Sequence, residues 1–290
     1  MPVNDELGKR MKEYYEQVPK YRLMRRTPVA IRIDGKAFHT FTRGFQKPFD
    51  GVLAKSMQET MKYLCENIQG CVLGYTQSDE ITLILVDYKH LNSDAWFDYE
   101  VQKMCSIAAS MATMAFNKIF SNEISNWYIK QDSHLPEVQK LLSLYNEKAS
   151  IGAMFDARCF NIPKEEVANL IYWRQLDATR NSIQMVGQAN FSHSELQNKS
   201  CNAIQDMLFQ ERDINWNDFP TYLKRGSCCV KNETTTTCAK TVDGQVITWA
   251  AERPHWEIDL EIPIFKGEGR QYINKCILYD DGEPKPAVIF

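Results

Sequence analysis

Two short acidic stretches carry residues that could do chemistry. Gln77-Ser78-Asp79-Glu80 sets adjacent carboxylates between Cys71-Val72-Leu73 and a nearly all-apolar run, Ile81 to Val86. Short polar residues between such runs make turns, and the β-branched run fits a strand buried on both faces. Acid at the edge of a buried sheet is costly unless a metal or a cation offsets the charge. A solvated hairpin tip explains the same residues, so the sharper reading needs a second acid. Asp34-Gly35 supplies one, at the end of the β-branched run Val29-Ala30-Ile31-Arg32-Ile33. Glycine there lets the backbone approach a ligand closely. Two carboxylates converging from adjacent strands can hold two Mg²⁺ ions ~3.5–4 Å apart for in-line phosphoryl chemistry, one acidifying an attacking hydroxyl and one neutralising a triphosphate leaving group. The Gly35 carbonyl could add an oxygen ligand, and the amides from Lys36 through Ala37 and Phe38 to His39 could cradle phosphates. A structural acid pair accounts for this spacing equally well. Lys36, Arg43, Lys47 and Lys55 surround the first acid in sequence and could meet nucleotide or RNA phosphates, with a solvated surface charge as the alternative for each. His193-Ser194-Glu195 has the H-x-E of zinc deaminases, but no P-C-x-x-C follows, which excludes that chemistry.

The elements that must position these acids follow from periodicity. Residues 3–24 predict a helix closed or kinked by Pro19. Asp50 is the expected N-cap of a helix whose stripe is Leu53, Met57, Met61, Leu64 and Ile68, ended by Gly70. Asn92-Ser93-Asp94 is expected to cap the longest helix, running to about Ile119. A polar segment through Pro136 leads to a strand over Ala153 to Phe160, and Pro163 opens another helix. Residues 29–176 thus read strand, helix, strand, strand, helix, strand, the split βαβ or ferredoxin-like order. That order makes an antiparallel sheet with helices on one face and the other face open to a large ligand. Strands one and three are then central neighbours, and Asp34 lies close to Asp79. The fold class is α+β. Residues 1–190 are expected to form the catalytic domain with its N-terminal helix. Residues 191–290 are expected to be a helical and β-hairpin extension, with Asp243-Gly244 as a turn.

The chain has 290 residues, 44% hydrophobic and 24% charged, as expected of a soluble globular protein. No apolar run approaches the ~20 residues of a membrane span, and Met1 to Glu6 carry no signal-peptide pattern. Nine cysteines without CxxC pairs favour reduced thiols in a cytoplasmic chain. The net charge of −3 conceals a basic quarter: residues 1–62 hold 13 Lys or Arg against 7 Asp or Glu. Such asymmetry fits a localised phosphate or RNA site, or an amphipathic helix with a solvated basic face.

Arg32-Ile33-Asp34-Gly35-Lys36-Ala37-Phe38-His39, Lys47-Pro48-Phe49-Asp50, Gly74-Tyr75-Thr76-Gln77-Ser78-Asp79-Glu80 and Trp173-Arg174-Gln175 occur in the order seen in the tRNA-histidine guanylyltransferase family. The resemblance runs from about Val29 to about Arg225. It implies a polymerase palm that adds nucleotides in the 3′-to-5′ direction to the 5′ end of a tRNA. By motif position, Asp34, the Gly35 carbonyl and Asp79 would bind two Mg²⁺ ions. Asp34 to His39, Lys47, Ser78 and Asp79 would bind the nucleotide, GTP or another NTP, with ATP activating the 5′ end. Asp34, Asp79 and Glu80 would be catalytic. Arg32, Arg43, Arg158, Arg174 and Asn181 would meet tRNA or a second nucleotide. A homotetramer, built as a dimer of dimers, and no membrane partner are also implied. The eukaryotic His-x-Asn-Asn motif departs here to Thr179-Arg180-Asn181, and residues 190–196 and 256–259 resemble the bacterial and archaeal branch, which repairs 5′-truncated tRNAs by templated addition. A palm-type nucleotide cyclase and a non-catalytic RNA-binding protein are the alternatives.

Overall fold

The structure, a computed structural model, describes residues 5–242 and 245–278, the stretch 233–253 as backbone. From the N-terminus the elements are α1 (Glu6–Met11), β1 (Val29–Gly35), α2 (Phe38–Phe41), α3 (Gly51–Asn67), β2 (Cys71–Gln77), β3 (Glu80–Leu85), α4 (Val101–Tyr128) and α5 (Pro136–Ile151). Next come β4 (Phe155–Asn161), α6 (Lys164–Asn190), α7 (His193–Leu196), α8 (Cys201–Arg212), α9 (Thr221–Arg225), β5 (Ser227–Val242), β6 (Gln245–Asp259) and α10 (Arg270–Ile277). The first four strands lie in the order β4-β1-β3-β2, every pair antiparallel, as the split βαβ reading requires. β5 then joins β2, with Leu73 opposite Val230, and β6 joins β5, so the C-terminal ribbon prolongs the same sheet. The Asp243-Gly244 turn lies outside the described residues. Among the described residues no helix is long and apolar enough to cross a membrane.

Strand alternation decides what each face of the sheet carries. Ile31, Ile33, Ile81 and Leu83 pack into the core built with α3 and α4. Phe38, Phe41, Phe116 and Phe155 fill it, with ring centroids 5.1 Å apart for Phe38 and Phe155 and 5.6 Å for Phe38 and Phe116. Ala30, Leu73, Tyr75 and Ile84 belong to the opposite face, buried by Val167, Ala168 and Ile171 of α6 and by Ile273 and Ile277 of α10. The expected open face is thus corrected. α3 and α4 do share one face, but the apolar half of the other is closed, because β3 is buried throughout and both its faces must be kept from water.

Three further expectations are corrected. The helix predicted over 3–24 ends at Glu16, after a π-turn over Lys12–Glu16; Pro19 lies just beyond. Its apolar residues Leu7, Tyr14, Tyr15 and Val18 are exposed, so no tertiary contact prolongs it. The longest helix starts at Val101, not after Asp94, and continues to Tyr128. Residues 21–25 take over its start: Val101 N–H donates to the Tyr21 carbonyl (2.9 Å), and Arg25 grips Asp98 at 3.1 Å. Finally, the segment after Pro136 is a helix, with Pro at its first turn and Val138 and Tyr145 buried.

Asp50 caps α3 as expected, its Oδ1 accepting from the Leu53 amide at 2.9 Å. Its Oδ2 also accepts from the Gln46 amide (3.1 Å) and the Tyr145 hydroxyl (2.6 Å). Asp50→Ala removes a cap worth about 1 kcal/mol and strands a buried hydroxyl at about 1–3 kcal/mol, a combined loss of about 2–4 kcal/mol. Urea unfolding should register that loss, with Asp50→Asn recovering part of it. A midpoint equal to wild type would refute the three-way role.

Candidate functional site

The register of β1 on β3 sets Asp34 opposite Glu80, and that of β1 on β4 sets Asp34 opposite Asp156. Directly opposed residues share a face. The face on which Ala30 meets α6 therefore also carries Arg32 and Asp34 on β1, Glu80 and Thr82 on β3, and Asp156 and Arg158 on β4. One half of this face is apolar and closed. The other half is charged and lies beneath the middle of α6.

Asp79 occupies the hairpin tip between β2 and β3, after Ser78 with φ of 49°. The Gly35 amide donates to the Asp79 carbonyl at 3.1 Å, which fixes the tip beside the end of β1. A Cβ on Gly35 would lie 2.2 Å from the Phe38 ring, itself packed in the core, so glycine is required at this turn. The Asp34 carboxyl is held above the usual carboxylate range by burial, then by Glu80 and Asp156, with Arg158 and Arg32 opposing. Burial also raises Asp79; its own amide and the Ser78 hydroxyl lower it, while Asp34 adds to the rise. Among the described residues, no lysine or arginine forms an ion pair with Asp34 or Asp79, whereas each remaining acid on this face has one.

Glu80 differs from Asp79 in kind. Its Oε2 accepts from Arg32 Nη2 at 2.7 Å and its Oε1 from Arg174 Nε at 2.7 Å. Arg174 Nη2 donates onward to Asp177 Oδ2 at 2.9 Å, and Arg180 grips the other Asp177 oxygen. Both Glu80 oxygens are thus committed to guanidinium groups, so this acid acts by holding two arginines in place. Arg174, expected to meet tRNA or a second nucleotide, is buried in that network. Arginine is almost never buried unpaired, and Glu80 supplies the partner. Arg158 and Arg43 are exposed, Arg158 pairing with Asp156 at 2.9 Å.

The expected phosphate cradle is also revised. The Lys36 amide donates to the Met154 carbonyl at 2.8 Å, and the Phe38 side chain is buried in the aromatic core. The Ala37, Phe38 and His39 amides remain as candidates, at the start of α2, where Ala37 is left-handed with φ of 54°. Lys36, His39 and Lys47 are exposed. Asn181 lines a cleft of about 670 Å³, mouth included, that opens beside Ser78 between α3, the end of β2 and α6. Its walls combine apolar groups such as Leu53, Met57 and Met185 with Gln58, Gln77 and Ser182. Sequence reasoning passed over Asp156, for which alternation along β4 was a usable signal, and over this cleft, for which there was none.

The family described as "Thg1: tRNAHis guanylyltransferase" has a model that matches residues 8–163. Among curated proteins, tRNA(His) guanylyltransferase of Schizosaccharomyces pombe is 27% identical over 237 residues, covering 76% of this chain and 81% of that protein. The Saccharomyces cerevisiae enzyme is 28% identical over 213 residues, covering 69% and 80%. A solved bacterial tRNA(His) guanylyltransferase (Thg1)-like protein in complex with ATP is 37% identical, with a TM-score of 0.73 over 94% of this chain and 100% of that one. Its counterpart in complex with GTP is 36% identical, with a TM-score of 0.70. The family motifs and the β1–β3 pairing that sets Asp34 beside the Asp79 turn thus meet in one chain, which belongs to the tRNAHis guanylyltransferase family of nucleotidyltransferases.

Proposed function

We propose that this chain adds nucleotides in the 3′-to-5′ direction to the 5′ end of a tRNA, by templated addition of the kind that repairs truncated ends. The observation that carries the reading is the pairing of β1 with β3, which sets the end of β1 with Asp34 beside the turn that carries Asp79, two acids without an ion-pair partner among the described residues. Closer identity to the bacterial Thg1-like protein than to the yeast enzymes supports the repair branch, as does Thr179 in place of the eukaryotic histidine.

In the proposed reaction a 5′-phosphate oxygen of the RNA attacks the α-phosphorus of ATP, releasing pyrophosphate and leaving an adenylylated end. The 3′-hydroxyl of the incoming nucleotide then attacks the RNA 5′ phosphorus. A phosphodiester bond forms, the bond to AMP breaks and the hydroxyl proton passes to solvent. An RNA that already carries a 5′-triphosphate loses pyrophosphate instead. Asp34, Asp79 and the Gly35 carbonyl would hold Mg²⁺. Among the described residues no three His, Cys, Asp or Glu side chains form a protein-only cage, and this oxygen set suits an ion that takes its remaining ligands from phosphates and water. When bound, Mg²⁺ would acidify the attacking hydroxyl and offset the charge on the leaving phosphate. The cleft beside Ser78 would take the nucleotide base, and the exposed Lys36, Arg43 and Lys47 would offer charge to phosphates. The family's tetramer is proposed here too, supported by the uncovered apolar side chains of Leu7, Tyr14 and Tyr15.

Incubation with 5′-truncated tRNA, Mg²⁺, ATP and labelled GTP should extend the RNA. Cyclic nucleotide formed without RNA would replace this reading with a cyclase. Tight tRNA binding with no extension by the native chain would reduce it to an RNA-binding protein.

A further inference from the structure

Trp173 has no task in the site described above. It is 53% exposed, at the rim of the charged half-face, whereas a tryptophan used for packing is highly buried. Two guanidinium groups flank its ring, Arg174 Cζ at 4.4 Å and Arg32 Cζ at 5.4 Å from the centroid. Glu80 holds both arginines at 2.7 Å. The aromatic ring is therefore held against two guanidinium groups that Glu80 fixes, while about half of the residue meets solvent. Arg32 lies two residues before Asp34 on the same strand face, a rise of about 7 Å. Three and seven residues along α6, Leu176 and Arg180 continue the exposed stripe, adding an apolar contact and a cation. An oriented aromatic face with guanidinium groups around it matches how proteins hold unpaired nucleic-acid bases, by stacking plus charge. Arg32 thus connects the Trp173 ring to the strand that ends in Asp34, while the cleft beside Ser78 is a separate space lined by α3, β2 and α6.

We propose that Trp173 is the stacking platform for the 5′-terminal base of the RNA substrate, seating that end over Asp34 and Asp79. The proposal rests on the tRNA reading above. Its test measures binding, so that it does not depend on turnover. The anisotropy of 5′-truncated tRNA labelled at its 3′ end should report binding weakened about 5- to 150-fold by Trp173→Ala, with most of it recovered by Trp173→Phe. A tRNA with an abasic 5′-terminal residue should bind the native chain with a matching loss. Trp173→Ala should then add almost nothing, since both changes remove the same stack. Trp173→Leu makes the same comparison if the alanine variant does not fold. Equal losses from Trp173→Ala on intact and abasic RNA would overturn the platform. So would an unchanged affinity, or an effect confined to KM for the nucleoside triphosphate. A native chain that shows the base-dependent coupling but extends no RNA would keep the platform and refute the polymerase.

Discussion

Asp79→Asn is expected to abolish measurable extension while leaving the fold intact or slightly firmer. Loss of one of two carboxylates that hold a catalytic cation removes several kcal/mol of transition-state stabilisation; about 4 kcal/mol corresponds to a fall of about a thousandfold. Stability should move the other way. The folded protein raises the carboxyl of Asp79 because burial and Asp34 disfavour its charge. A carboxyl raised on folding costs nothing below the ordinary carboxylate range, and its full penalty is present above the raised value, including neutral pH. Asn carries no charge and escapes the penalty. In EDTA the variant should therefore melt at or above the wild-type temperature. Mg²⁺ should raise Tm of the native chain, as any ligand specific for the folded state does, and leave Asp79→Asn nearly unmoved. Activity within tenfold of wild type, or an equal Mg²⁺ response in both proteins, would remove Asp79 from the cation site. Asp34→Asn should behave in the same way, since burial and neighbouring acids act on it alike.

The sequence made this pair legible because two independent signals converged. The β-branched runs around Asp34 and Asp79 gave the strands, and the split βαβ order made those strands neighbours. Asp50 was equally readable, since an N-cap depends on only a few residues of chain. What escaped depended on contacts distant in sequence. Arg174 reads as a free cation in Trp173-Arg174-Gln175, and only the packing of α6 over β3, 94 residues away, buries it on Glu80. Phe38 sits inside the stretch expected to bind the nucleotide yet serves the aromatic core, because α2 turns its side chain toward α4. Glu100 has no capping side chain to announce α4; the partner that sets its start is the segment 21–25. α5 is a different kind of miss, since Pro136 and the apolar spacing of Val138 and Tyr145 were visible but were outweighed by the polar residues before them.

Glu80→Ala should separate the two acids of the hairpin tip, for it is expected to damage the fold rather than the cation site. Removing this carboxylate leaves Arg174, 7% exposed, without its buried partner, and deprives Arg32, whose Nε already has no partner among the described residues. Breaking a buried pair from one side costs about 3–5 kcal/mol when the charge left behind has no other partner; Arg174 keeps Asp177 at 2.9 Å, so the loss should fall at the lower end of that range. Arg174→Ala should cost less. Glu80 would still hold Arg32, and Asp177 would still hold Arg180. The ordering follows from connectivity: Glu80 is the hub, and each acid on Arg174 has a second cation. The losses should change little with added salt, as expected of buried charges. Glu80→Ala should retain the Mg²⁺-dependent rise in Tm that Asp79→Asn lacks, because both Glu80 oxygens face arginines. If Glu80→Ala instead unfolds at the wild-type urea midpoint and no longer responds to Mg²⁺, Glu80 is a cation ligand and the arginine pairs contribute little. Adjacent carboxylates would then share one task, whereas the geometry divides them: Asp79 has no cationic partner among the described residues, and Glu80 ties Arg174 of α6, the neighbour of Trp173, to the sheet.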